Sequence, residues 1–184
     1  MHFPGSVRSL ILVGFMGSGK SSVAREIARR CELRFLDTDS VIRQKYGKSI
    51  GEIFAVYGEP AFREEEHQVL LRLRSARHFV LATGGGIVLQ ARNRAILRSL
   101  GPVVWLTADE ETIWQRVSRN QHRPLLQTAD PRLTIRNLIE TRYPLYRETA
   151  HITVETSHLS HQEVANRILL AVRNWSADRD EGRH

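Results

Sequence analysis

Cysteine and lysine are scarce in this 184-residue chain, and both scarcities narrow what it can be. The single cysteine, Cys31, leaves no intrachain disulfide, so the cytoplasm is the default compartment. At the end of an amphipathic helix, Cys31 reads as a small boundary residue rather than a reactive thiol. No apolar run approaches the ~20 residues needed to cross a bilayer. The first residues, Met1 to Ser6, have no long apolar signal core. Of 27 basic residues only Lys20, Lys45 and Lys48 are lysine, and the formal net charge is +7. The excess lacks a basic tract or an interleaved aromatic series, which argues against a nucleic-acid partner. Arginines alternate with acids, as in Arg63-Glu64-Glu65-Glu66, so a solvated surface plus a pocket for anions accounts for them. With 41% apolar and 26% charged residues, one soluble domain with one core (residues 1–184) is expected.

What is present is more specific. Gly14-Phe15-Met16-Gly17-Ser18-Gly19-Lys20-Ser21 fits G-x-x-x-x-G-K-[ST], directly after Leu10–Val13 and before a helical stretch. A strand delivers the chain to a tight loop whose N–H groups converge on an anion, and the next helix adds its positive end. The glycines admit backbone conformations and close approaches that side chains would block. Lys20 can reach the β- and γ-phosphates, and the Ser21 hydroxyl suits Mg²⁺. This is a nucleotide-phosphate site.

Short β-rich runs alternate with helical patterns: Leu10–Val13, Arg34–Leu36, Phe79–Ala82, Val103–Leu106 and Ile152–Val154 read as strands. Ser22–Arg30, Glu64–Arg77, Asp109–Arg119 and Gln162–Trp175 read as helices. Such alternation predicts an α/β fold, a parallel sheet with helices on both faces and ligands at the strands' C-terminal ends. Residues 38–78 are too long for one crossover and suggest an acceptor-site cover. Residues 119–131, polar and bounded by proline, suggest a lid. Ser176 to His184 reads as a frayed polar tail.

A P-loop kinase also needs a carboxylate near the metal and a seat for its acceptor. Arg34–Leu36 runs into Asp37-Thr38-Asp39; if the chain stays extended, both aspartates project the same way. One then serves the metal and the other the acceptor hydroxyl, while an Asp or Thr there also suits a helix N-cap. Gly84-Gly85-Gly86 after a strand offers bare backbone to a polar ligand. Arg63, Arg123 and Arg142 stand beside unusual backbone, and an arginine fork suits carboxylate or phosphate.

Together, the P-loop, Asp37-Thr38-Asp39, Phe62-Arg63, Gly84–Gly86, Arg123-Pro124-Leu125-Leu126 and Arg142-Tyr143-Pro144-Leu145-Tyr146 resemble the shikimate kinase family in order and spacing. The resemblance spans about residues 8–174. It implies a three-layer fold of the nucleoside-monophosphate-kinase type, with five parallel strands in the order 2-3-1-4-5. It implies MgATP-dependent phosphorylation of the shikimate 3-hydroxyl by a monomer, toward chorismate and the aromatic amino acids. Gly17, Ser18, Gly19, Lys20, Ser21 and Ser22 would bind the nucleotide, with Arg116 against adenine and Arg123 closing with the lid. Ser21 and Asp37 would hold Mg²⁺, and Lys20, Asp39 and Arg123 would act in catalysis. Asp39, Arg63, Gly84, Gly85, Gly86 and Arg142 would bind shikimate. Two features depart from the family pattern: Ser22 stands where threonine is common, and the loop Thr156–His161 lacks a frequent proline. Rival readings are a gluconate-type kinase, which needs no pair of arginines for a carboxylate, a non-catalytic nucleotide-binding module, and a nucleic-acid binder.

Overall fold

A computed structural model describes residues 7–118 and 128–181. Five strands form the sheet: β1 (Ser9–Gly14), β2 (Arg34–Asp37), β3 (Phe79–Ala82), β4 (Val103–Thr107) and β5 (Ile152–Glu155). All pairings are parallel and the order is β2-β3-β1-β4-β5. The helices are α1 (Lys20–Cys31), α2 (Thr38–Tyr46), α3 (Ile50–Leu73), α4 (Ala91–Leu100), α5 (Glu110–Ser118), α6 (Pro131–Thr149) and α7 (His161–Glu181). A short 3₁₀ turn, Ile87–Leu89, follows β3.

Strand alternation builds two cores. Leu10, Leu12, Val80, Ala82, Val104 and Leu106 pack against α1 and α7. Ile11, Val13, Phe79, Leu81, Val103 and Trp105 face the other layer, with Leu70, Leu97, Ile113 and Ile135 from α3 to α6. Burying each large aliphatic side chain contributes roughly 1.5–3 kcal/mol, and the central strands are buried on both faces. The three-layer architecture and strand order are those expected.

Three local features differ from the expectation. The chain does not stay extended through Asp37-Thr38-Asp39: Asp37 ends β2 and caps α2, so Thr38 and Asp39 are helical. The cap bond outweighs the strand's continuation, because Asp37 Oδ1 accepts from Ser40 N–H at 3.0 Å. The polar end is not frayed from Ser176: α7 continues to Glu181, with Ser176 buried and Trp175 packed against the α1–α7 core. Finally, the helix read over Glu64–Arg77 is α3, which starts earlier, at Ile50, ends at Leu73, and is kinked at Gly58 (φ +79°) just before Pro60. The proposed lid, 119–131, lies outside the described residues up to 127. Of its end, Asp130 caps α6 and Pro131 opens it.

Candidate active site

At the sheet's C-terminal edge β1 feeds the glycine loop, where Gly17 and Gly19 take φ of +80° and +88°. Those angles turn the chain directly into α1, whose N-terminus meets the loop. Lys20 is buried, and its Nζ donates to the carbonyls of Gly14 and Phe15 at 2.9 and 2.8 Å. Ser18 is buried and its Oγ has no partner among the described residues, whereas Ser21 and Ser22 are exposed on the first turn of α1. Arg116 of α5 donates to the Gly17 carbonyl at 3.2 Å and to the Thr156 carbonyl at 3.1 Å. It thereby ties the 156–161 loop to the phosphate loop.

Asp37 works at both ends of its carboxylate. Oδ1 caps α2, and Oδ2 accepts from Ser21 Oγ at 2.7 Å. Capping and the bond to the first turn of α1 thus fall on one residue. The Ser21–Asp37 pair presents only hard oxygens at the loop's mouth, a donor set suited to Mg²⁺, which keeps waters and phosphate oxygens as its other ligands.

Beside the loop lies a second, more enclosed cluster. Asp39 Oδ1, Glu66 Oε1 and Arg142 Nε are buried without partners among the described residues. A Cβ built on Gly84 would lie 2.5 Å from Asp39 Oδ1 and 2.6 Å from Glu66 Oε1, so only bare backbone fits there. Gly84 N–H is held by the buried Thr38 hydroxyl at 2.8 Å. Arg63 is buried, pairs with Glu66 at 2.7 Å and Glu59 at 2.7 Å, and stands over the Phe62 ring. A Cβ on Gly86 would overlap that guanidinium. Arg142, 3% exposed, lies over the Phe15 ring with its centroid 5.9 Å from Cζ.

The electrostatics follow from burial. Loss of water pushes the Asp39 carboxyl above its ordinary value, the charge of Asp37 adds to this, and Lys20 and Arg63 oppose it. Burial pushes Glu66 up to about 7 despite Arg63 beside it. Two carboxyls and the Arg142 guanidinium, each with a buried atom that has no partner among the described residues, stand with Arg63 and suit an uncharged hydroxyl and an anion on the same ligand.

Asp37, Asp39, Arg63, Gly84–Gly86 and Arg142, read from the sequence, are thus brought around the phosphate loop. Arg123 lies outside the described residues. The sequence gives no site role to Glu66, and it offers Thr38 and Tyr146 only as members of their motifs. Glu66 hides in the run Glu64–Glu66; its spacing from Arg63, three residues along a helix, is the signal that separates it from Glu64 and Glu65. The Tyr146 hydroxyl donates to the Gly85 carbonyl, a contact that no local pattern announces.

A parallel β2-β3-β1-β4-β5 sheet, a phosphate loop and an enclosed polar acceptor pocket define a P-loop kinase of a small molecule. The model of the family "Shikimate kinase" matches residues 16–173. A curated shikimate kinase of Nitrosospira multiformis is 45% identical over 157 residues, 85% of this chain and 80% of that protein. One from Nitrobacter winogradskyi is 44% identical, covering 95% of this chain and 86% of that protein. A solved shikimate kinase of Acinetobacter baumannii, in complex with shikimate, superposes with a TM-score of 0.89 at 42% identity, over 92% of this chain and 94% of that one. The chain belongs to the shikimate kinase family.

Proposed function

We propose that this chain transfers the γ-phosphoryl group of MgATP to the 3-hydroxyl of shikimate, giving shikimate 3-phosphate and ADP. The reaction serves the route to chorismate and the aromatic amino acids, and the enzyme works as a cytoplasmic monomer. The observation that carries the reading is the pocket itself: Asp39 and Arg63 meet at the glycine tract, and Arg142 lies over Phe15 of the phosphate loop. Shikimate is a small polyol with one carboxylate, which calls for that combination of carboxylate, guanidinium forks and bare backbone.

Phosphoryl transfer asks a protein mainly to position its reactants and stabilise charge. The N–H groups of Gly17, Ser18 and Gly19, with Ser21 and Ser22 at the start of α1, cradle the phosphates. Lys20 exchanges its hold on the loop carbonyls for the transferring phosphoryl oxygens. Ser21 and Asp37 hold Mg²⁺ through oxygen. When bound, the metal supplies neutralisation of the phosphate charge.

Arg63 and Arg142 grip the shikimate carboxylate, and Gly84 to Gly86 line the ring. Asp39 orients the 3-hydroxyl with its unpartnered Oδ1 and accepts its proton, and the raised pKa of this buried carboxyl makes it a better base than an exposed one. Arg116 flanks the adenine. Arg123 joins the phosphates as residues 119–131 close, which keeps water from wasting ATP.

The test separates the two substrates. Arg63→Ala and Arg142→Ala each raise the shikimate KM by roughly a hundredfold, the loss of a buried charge-assisted contact, and leave the ATP KM within a few-fold. Near-normal shikimate KM in both variants sinks the assignment and favours an acceptor without a carboxylate.

A further inference from the structure

The three glycines after β3 are not loose backbone. Gly84 N–H is taken by Thr38 Oγ1, the Gly84 carbonyl accepts from Ile87 N–H at 3.2 Å, and the Gly86 carbonyl accepts from Leu89 N–H at 3.0 Å. The Gly85 carbonyl accepts from the Tyr146 hydroxyl. Among the described residues, no protein acceptor meets the N–H of Gly85 or Gly86. Gly86 is nonetheless buried.

Tyr146 is held in place, and besides its bond to Gly85 its hydroxyl accepts a hydrogen bond from Arg142. Its side chain is fully buried on α6, its ring stacks on Trp105 of β4 with centroids 5.9 Å apart, and Tyr143 meets it at 6.3 Å. Burial drives the phenol well above its ordinary pKa, against the pull of nearby Arg142, so the hydroxyl remains a donor at any working pH. Arg142 stands four residues earlier, on the same face of α6.

The Gly85 carbonyl and the Gly86 N–H belong to one trans peptide plane and point in opposite directions. Anchoring the oxygen on Tyr146 therefore turns the Gly86 N–H away from α6. A Cβ on Gly86 would fall on the Arg63 guanidinium, so a cation that draws an anion lies against this residue. A hydrogen bond received at the carbonyl also polarises the same peptide and strengthens its N–H as a donor.

We propose that Tyr146 is a positioning residue for the acceptor: its hydroxyl fixes the Gly85–Gly86 peptide so that Gly86 N–H addresses the acceptor's carboxylate beside Arg63. Tyr146 acts through the peptide and does not itself touch the acceptor. The inference rests on the reading of this pocket as the shikimate site.

Tyr146→Phe removes only the hydroxyl. The shikimate KM then rises about tenfold, as expected for one misaimed donor to a charged group. The ATP KM and the melting temperature stay near wild type. With shikimate methyl ester as a neutral acceptor, wild type and variant differ by less than twofold. Equal rises in both KM values, no rise at all, or the same tenfold loss on the ester would each overturn the proposal. A second measurement needs no variant. Amide exchange at Gly86 in the wild-type protein slows at least tenfold on adding saturating shikimate without nucleotide, and unchanged exchange overturns it. Absence of shikimate-dependent ADP release from the wild type removes the acceptor reading beneath it, an outcome distinct from the others.

Discussion

Replacing Gly86 with alanine tests the acceptor pocket with a single methyl group. The backbone at Gly86, φ −97° and ψ −1°, is open to any residue, so alanine brings no conformational strain. The cost is contact: its Cβ would lie 2.5 Å from Arg63 Cζ and nearer still to both terminal nitrogens. Ordinary contact between such atoms is ~3.5–4.0 Å, so the guanidinium must retreat by about 1 Å. It is pinned on the far side by Glu66 and Glu59, each at 2.7 Å. A retreat of that size breaks at least one of these bonds or swings the fork out of line with the substrate. One hydrogen bond to a charged group contributes ~1.5–3 kcal/mol, which corresponds to a roughly ten- to hundredfold rise in the shikimate KM. The ATP KM stays within about twofold, because the methyl lies away from the phosphate loop. Steady-state kinetics varying each substrate in turn provides the assay. An unchanged shikimate KM, or parallel rises in both constants, refutes the claim that Arg63 against Gly86 defines the acceptor site.

Other consequences follow from the same geometry. Lys20→Ala lowers kcat by at least about a hundredfold, the scale of losing a preorganised charge at the transferring phosphoryl group, and a kcat within a few-fold of wild type contradicts that role. Glu66 has a pKa of about 7 in the fold against an ordinary 4.5. Its raised value means that the stability it contributes is fully present below pH 4.5 and is lost as pH rises through 7. Between pH 4.5 and 8 the wild type therefore loses at most roughly 3 kcal/mol relative to Glu66→Gln. Urea unfolding of both proteins at each pH measures this, and a pH-independent difference argues against it.

Much of the fold was legible because the forces that set it are local and periodic. The five strands are short apolar runs, and the loop from Gly14 to Ser21 carries its own geometry, so both survive reading one residue at a time. The acceptor pocket was legible only in part. Asp37-Thr38-Asp39 marked the right corner, yet alternation was the wrong reason, since the Asp37 cap starts α2 and puts Asp39 on a helix. Glu66 is one of three successive glutamates, and only the face α3 turns toward Gly84 makes it different. The Tyr146 bond to Gly85 joins residues 61 apart in the chain, a partnership that folding alone creates. Ser176 to His184 looked polar enough to fray, yet Trp175 packs against the core and α7 runs on to Glu181.

The chain's membership of the shikimate kinase family and the pocket's chemistry meet in one claim, that the phosphoryl group of ATP goes to shikimate. The most direct measurement is ADP release by the purified protein with MgATP, coupled to NADH oxidation, with and without shikimate. The account predicts turnover that saturates with shikimate, depends on Mg²⁺, and falls to a small fraction of that rate when shikimate is omitted. ADP release at the same rate with and without shikimate would contradict it, as would no release in either case.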